Sequence, residues 1–243
     1  MPPMTTCRIG IAGWAIRSEH RDNFPGPGTH LERYARHFNA VEINSSFYRP
    51  HQRATYERWR ESVRDGFRFA VKTPRSITHA ARLHEADKLV EDFLEQAHGL
   101  KEKLGVLLVQ LPPRLAFSAE TAARFFDCLQ TQTDAHVACE PRHASWFTEE
   151  AGDLLAQRGI ARVAADPAPC PGADEPGGSE KLVYYRLHGA PRMYWSPYSE
   201  ADLTRIEAHL GRHAENGANT WCIFDNTAAG AATTNALALT KRL

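Results

Sequence analysis

Eight short apolar runs recur along the chain, near 8–12, 40–44, 67–71, 105–110, 136–140, 160–165, 182–187 and 220–225. Helical spacing separates most of them. Leu31, Tyr34, Ala35 and Phe38 follow Thr29, a suitable N-cap, and Leu89, Phe93, Ala97 and Leu100 mark a helix between 86 and 104. Ser118 caps a helix carrying Ala122, Phe125, Phe126 and Leu129; Thr148 starts another that stops at Gly159. Ser199 opens a helix with Leu203, Ile206 and Leu210, and a last one is predicted from Ala228 to Leu243. Strands alternating with helices require parallel crossover connections, which are right-handed. Eight of them predict an α/β, TIM-barrel-like (β/α)8 barrel, a single domain over residues 1–243. The regularity fails once. Residues 166–181, rich in Pro and Gly, form an irregular loop that replaces the helix after strand 6. The runner-up is an open doubly wound sheet, but Gly10, Gly13, Gly26 and Gly28 make no GxGxxG or P-loop.

The runs carry a second signal in their last residues. Strand side chains alternate between faces, so Glu42 shares a face with Asn44, and Arg186 shares one with Tyr184 and His188. With Val41, Ile43, Phe67, Phe69 and Val71 packed under helices, Glu42, Asn44, Arg68, Ala70 and Lys72 point inward. Gln110, Glu140 and Asp166 end the fourth, fifth and sixth strands, and Asn226 ends the eighth. In barrels of this plan the carboxyl ends of the strands carry the site. Buried Arg–Glu pairs that only satisfy one another are the structural alternative. That alternative suits one strand; five polar ends at one rim favour a functional pocket.

Loops add candidates: Trp14, Tyr48, Arg49, Arg75, Thr78, His79, Arg142, His143, Trp146 and Tyr194. Aromatics beside Arg and His suit a ligand with flat or anionic parts. The expected catalytic residues are Glu42, Lys72, Glu140 and His188. Asn44, Tyr48, His79, Gln110, Arg142, His143, Trp146, Arg186, Tyr194 and Asn226 are expected to bind substrate.

Composition excludes several classes. Lys plus Arg and Asp plus Glu balance at 29 each, so a polyanion-binding surface is not indicated. The five cysteines are scattered without a CxxC pair, which argues for a reducing, cytoplasmic location over a disulfide framework. Met1 to Thr6 show no leader pattern, and no apolar run nears the roughly 20 residues that span a bilayer.

Val41-Glu42-Ile43-Asn44-Ser45-Ser46-Phe47-Tyr48, Phe69-Ala70-Val71-Lys72, Thr78-His79 and Gln110-Leu111-Pro112-Pro113 stand in order, followed by Glu140-Pro141-Arg142-His143-xx-Trp146 and Arg186-Leu187-His188-Gly189. In these motifs the chain resembles the domain of unknown function 72 family, the YecE-like proteins, from Ile9 to Ala236. The resemblance implies a TIM-barrel-like fold and no particular reaction or cofactor. Two stretches depart from the family pattern: Asn23-Phe24-Pro25 where Phe-Tyr-Pro is common, and Phe224-Asp225-Asn226 where Phe-Asn-Asn is usual.

Three functions follow from these residues. The first is an enzyme acting on a small polar or anionic, phosphate- or sugar-like ligand. Glu42 or Glu140 would be its base, Lys72 and Arg186 its anion partners, and His79 or His188 its proton carrier. An inward lysine can also form a Schiff base. The second is a divalent-metal barrel using Glu42, Glu140, Asp166, His188 and His143, in plan like sugar isomerases and endonucleases, though no HxH or HExxH occurs. The third is a non-enzymatic role on nucleic acid through Arg75, Arg82, Arg114, Arg142 and Arg192. No membrane partner is expected.

Overall fold

The computed structural model describes residues 7–243. The expected lack of a leader rests on Met1 to Thr6 and lies outside them. The architecture is α/β. In chain order it runs β1 (Arg8–Ile11), α1 (His30–Tyr34), β2 (Ala40–Ile43), α2 (Arg53–Glu61), β3 (Arg68–Lys72), α3 (Asp87–Ala97), β4 (Leu104–Gln110), α4 (Ala119–Gln130) and β5 (His136–Glu140). It continues through α5 (Glu149–Gln157), β6 (Ala161–Arg162), β7 (Ala164–Asp166), β8 (Gly177–Gly178), β9 (Leu182–Leu187), α6 (Glu200–Glu215), β10 (Asn219–Phe224) and α7 (Ala231–Thr240).

One sheet has the order β1-β10-β9-β7 and the other β2-β3-β4-β5-β6-β8. All pairs are parallel except β6 with β8. The sheets touch at both margins. On one side Ala12 bridges Glu42, and the Gly13 amide donates to the Glu42 carbonyl at 2.9 Å. On the other, only Val163 separates β6, paired with β5, from β7, paired with β9.

Two apolar clusters follow from strand parity. Val41, Ile43, Phe69, Val71, Leu107 and Val109 belong to the larger one, shared with the helices. Ala40, Ala70, Val106, Leu108, Ala138, Ala161, Val163, Leu182, Tyr184, Trp221 and Ile223 form the second, between the sheets. Each fully buried large apolar side chain contributes about 1.5–3 kcal/mol, so this parity is strongly enforced. Gly10 marks where β1 presses on β2: an added Cβ would lie 2.4 Å from the Ala40 carbonyl oxygen. Gly10→Ala is therefore expected to lower stability by about 1–3 kcal/mol, read as a lower urea midpoint. An unchanged midpoint would refute the close approach.

Local signals worked where caps were clear. Thr29 and Ser199 each close a capping box, and Ser118 and Thr148 accept amide hydrogen bonds at α4 and α5. Four readings change. The α1 helix stops at Tyr34, and Phe38 is buried beyond it. The buried stripe of α3 is Val90, Phe93, Leu94 and Ala97, while Leu89 is exposed; residues 98–103 tighten into a 3-10 turn. The helix α2 is additional, hidden in sequence because Tyr56 is its only buried side chain. The final helix starts at Ala231 after Gly230, whose φ of 82° breaks the helical path. Residues 167–181 hold no helix, as predicted, but Gly177–Gly178 pairs with β6. No helix among the described residues is long and apolar enough to cross a membrane.

Candidate functional site

The inner column of β9 places Arg186 one strand-repeat above Tyr184, fully buried. Its guanidinium Nε donates to Glu42 Oε2 at 3.0 Å and Nη2 to Glu42 Oε1 at 2.7 Å, a bidentate pair. Nη1 reaches Glu140 Oε2 at 2.6 Å, and Nη2 also reaches Asp225 Oδ2 at 3.0 Å. Tyr184 donates its hydroxyl to Glu42 Oε2 at 3.0 Å. One arginine thus holds carboxylates from β2, β5 and the residue after β10. Burial disfavours every one of these charges alone, so only mutual pairing makes them tolerable.

The second layer sits on top. His188 lies between two carboxylates, Nδ1 3.0 Å from Asp225 Oδ2 and Nε2 3.3 Å from Glu140 Oε1. Both ring nitrogens can donate at once only in the imidazolium. Burial opposes that charge, but the hydrogen bonds to Asp225 and Glu140 outweigh it and raise the His188 pKa. Burial would likewise push Glu140 up, yet Arg186, then His188 and Arg142, hold it well below the usual carboxylate range. Asp225 is also lowered, with Arg186 and His188 overcoming burial. Arg142 closes the Glu140 side, Nη2 lying 2.9 Å from Oε1.

Lys72 differs from these groups. Asn44 follows β2 directly and Lys72 ends β3, each one residue beyond the Ile43–Val71 pair. Lys72 keeps only 6% exposure; its Nζ is not sealed from solvent and makes no ion pair or hydrogen bond among the described residues. It lies 4.3 Å from the centroid of the Phe47 ring. Burial first, then the Arg186 charge, lowers its pKa to about 8, against the opposing pull of Glu42, Glu140 and Asp225. The carboxylates are already committed to Arg186, Arg142 and His188. Asn44 Oδ1 is buried without a partner at the same rim.

The other expected residues divide. His79 is half-buried with its ring 5.0 Å from Phe47, and burial followed by Lys72, Arg75 and Arg142 lowers its pKa. Gln110 is buried and paired in register with Glu140. Tyr194, at φ 68°, sets its ring 5.5 Å from His188. Tyr48 stacks edge-on against Phe47 but is 74% exposed. Three residues have structural partners. His143 Nδ1 accepts the Ser145 amide and caps the turn that follows. Trp146 is buried, its Nε1 donating to the Leu115 carbonyl at 2.9 Å. Asn226 donates to Ser196 and Asn235, fastening the loop after β9 to α7.

Asp225 and Phe47 were missed as site residues. The sequence held a signal for Asp225, because Trp221, Ile223 and Asp225 share parity and Asn226 does not. Asp166 has the outward parity, and its carboxylate accepts from Tyr198 at 3.2 Å, away from His188 Nδ1 and Nε2. Among the described residues no group of three or more His, Cys, Asp or Glu is arranged to hold a metal ion. Of the rim arginines, Arg82 donates to the Arg114 carbonyl and Arg192 lies over Trp195.

The network fixes an acid-stability profile. Glu140 and Asp225 have folded pKa values below their ordinary ones, so their stabilisation is present above about pH 4.5 and is lost as pH falls through the folded values. His188 is raised, so its contribution is full below 6.5 and fades as pH climbs through its folded pKa. The urea midpoint is expected to drop steadily from pH 5 to pH 3. A flat profile across that interval would show that the carboxylates are not held this way.

Residues 8–243 match the family described as "Protein of unknown function DUF72". The UPF0759 protein YecE of Escherichia coli is 39% identical over 147 residues, which are 58% of this chain and 53% of that relative. The match thus spans about half the length of that protein. The UPF0759 protein YunF of Bacillus subtilis is 23% identical over 264 residues, covering 93% of this chain and 91% of its own. Crystal structures of DUF72 family proteins from Enterococcus faecalis and Thermotoga maritima superpose with TM-scores of 0.79 and 0.78. The first is 22% identical and covers 98% of this chain and 97% of its own; the second is 23% identical and covers 97% and 98%. These likenesses bear on the fold alone.

Proposed function

The chain belongs to the DUF72 family, and from that premise we propose that it is an enzyme acting on a small anionic substrate at the rim around Lys72. The two sheets, joined at both margins, act in this reading as one single-domain eight-stranded barrel with the polar strand ends at its mouth. One observation carries the proposal: Lys72 has a buried stem and an amine with no ion pair among the described residues, poised near pH 8 above an interlocked charge network. A lysine with a buried stem, a lowered pKa and no counter-ion in a cleft is a functional-site candidate. Arg75 and Arg142 bring further positive charge to the same side, which suits phosphate or carboxylate. Lys72 near its pKa can give or take a proton, with Asn44 and Gln110 as orienting amides and His188 held between Glu140 and Asp225 as the second proton carrier. Arg186 and Glu42 position this set and do not touch the substrate. Five free cysteines accord with a reducing compartment, and we place the protein in the cytoplasm.

Glycerol 3-phosphate and inorganic phosphate are expected to raise the melting temperature of the wild type and not of Lys72→Met. If neither anion shifts the wild type, or if the variant responds equally, the rim is not an anion site.

A further inference from the structure

We propose that Lys72 is a covalent nucleophile and that the anionic substrate is an aldehyde or ketone, which the amine captures as an iminium. This rests on the anion-site reading above and names its substrate class and chemistry.

The geometry separates Lys72 from an ordinary binding lysine. A lysine that only holds an anion works best as a hydrated, fully charged ammonium on a flexible stem. Lys72 instead has a buried stem leaving the end of β3, a Phe47 ring across its amine at 4.3 Å, and the repelling charge of Arg186. Burial and the Arg186 charge favour the neutral amine over the ammonium, while the Phe47 ring face attracts the cation and only partly offsets them. A fall from 10.5 to about 8 raises the free-amine fraction at pH 7 by roughly 300-fold. The site also withholds the usual quench. Glu42, Glu140 and Asp225 are bound to Arg186, so none makes the ion pair that would keep Lys72 charged.

The neighbours fit the remaining steps. The lone pair of Nζ attacks the carbonyl carbon and the carbonyl π electrons move to oxygen, giving a carbinolamine once a proton passes from nitrogen to that oxygen. The hydroxyl then leaves as water, taking one further proton, and the nitrogen lone pair forms the iminium double bond. The proton comes from an imidazolium at the rim or from solvent, so amine, carbonyl compound and one proton yield the iminium and water. Asn44 Oδ1, a buried acceptor with no partner, stands beside Lys72 where it can accept from the carbinolamine hydroxyl. His79, packed edge-on to Phe47, is held toward its neutral, proton-accepting form by burial and the cations around it.

The test uses the full chain at pH 7.5 with dihydroxyacetone phosphate, glycolaldehyde phosphate, pyruvate and pyridoxal 5′-phosphate, each followed by borohydride. Reduction converts an iminium into a stable secondary amine that peptide mass mapping can locate. At substoichiometric reagent, at least one probe is expected to modify Lys72 at least tenfold more than Lys88, Lys101, Lys103, Lys181 or Lys241. Inorganic phosphate should protect Lys72. Lys72→Arg, which keeps the charge but has no nucleophilic amine, should give no selective adduct while phosphate still raises its melting temperature. Mapping the wild type makes the result independent of how the variant folds. If no probe labels Lys72 selectively, the covalent proposal is overturned. A phosphate-induced melting shift alongside that failure would leave the anion site standing, whereas no shift would remove both.

Discussion

Arg186→Met is expected to leave the protein unfolded or molten at 25 °C and neutral pH. The guanidinium is fully buried and bonds Glu42, Glu140 and Asp225, so its removal leaves buried Glu42 with no cation and leaves Glu140 and Asp225 to Arg142 and His188 alone. Breaking one buried pair from one side costs about 3–5 kcal/mol, and whole domains hold only about 5–15. Losing the only cation of Glu42 and the main one of Glu140 and Asp225 therefore takes a large share of the total. The sign of the pH response should also reverse. Without Arg186, burial acts on Glu140 and Asp225 against a weaker opposing field, so their pKa values rise and the penalty of the buried charges is relieved as they protonate on acidification. Wild type should lose stability from pH 5 to pH 3, while the variant should regain structure as pH drops from 7 toward 5. Circular dichroism and urea titration across that range check both. A variant as stable as wild type at pH 7 would mean that the network does not hold the fold.

Lys72→Met should do the opposite, stabilising the fold while abolishing ligand response. The folded-state pKa of about 8 lies below the unfolded 10.5, so a charged Lys72 penalises the folded state at neutral pH. The difference corresponds to roughly 3 kcal/mol at most. Methionine keeps the length, removes the charge, and places a thioether against Phe47, a favourable contact. Below pH 8 the variant should therefore exceed wild type by about 1–3 kcal/mol. Between 8 and 10.5 the unfolded chain binds more protons than the folded one, so wild type gains and the difference should close. A gain in stability with loss of phosphate binding is the pattern of a residue kept for function. Lower stability at pH 7 would show that the amine has a structural partner.

These two effects separate what the strand-end motif means. Glu42, Lys72, Glu140, Arg186 and His188 all read from sequence as inward and polar, and their backbone positions bear that parity out. Parity follows from covalent geometry and hydrophobic burial, both local enough to see in a single strand. Pairing is not local. Arg186 meets Glu42 across 144 residues and Glu140 across 46, and no spacing rule connects those strands. The Asn226 and Asp225 exchange was a one-residue error of register, avoidable by extending the Trp221–Ile223 column. Trp146 and His143 could not be sorted from sequence, because a loop aromatic and a loop imidazole look alike whether they pack inward or face a ligand. Only Leu115 and Ser145 decide their place. The helix α2 escaped because a helix with one buried side chain lacks the stripe that reveals amphipathicity.

By itself the sequence determined the α/β alternation, the faces of Glu42, Lys72, Glu140, Arg186 and His188, and the end of the strands where polar groups gather. Those outcomes depend on chain periodicity and on caps such as Thr29 and Ser199, which act over a few residues. Tertiary structure alone decided which charges cancel. It committed three carboxylates to Arg186, Arg142 and His188 and left Lys72 facing Phe47 without a partner. The physical reason is that ionisation in a buried cluster depends on the sum of desolvation and fields from distant strands, a quantity that no single strand contains.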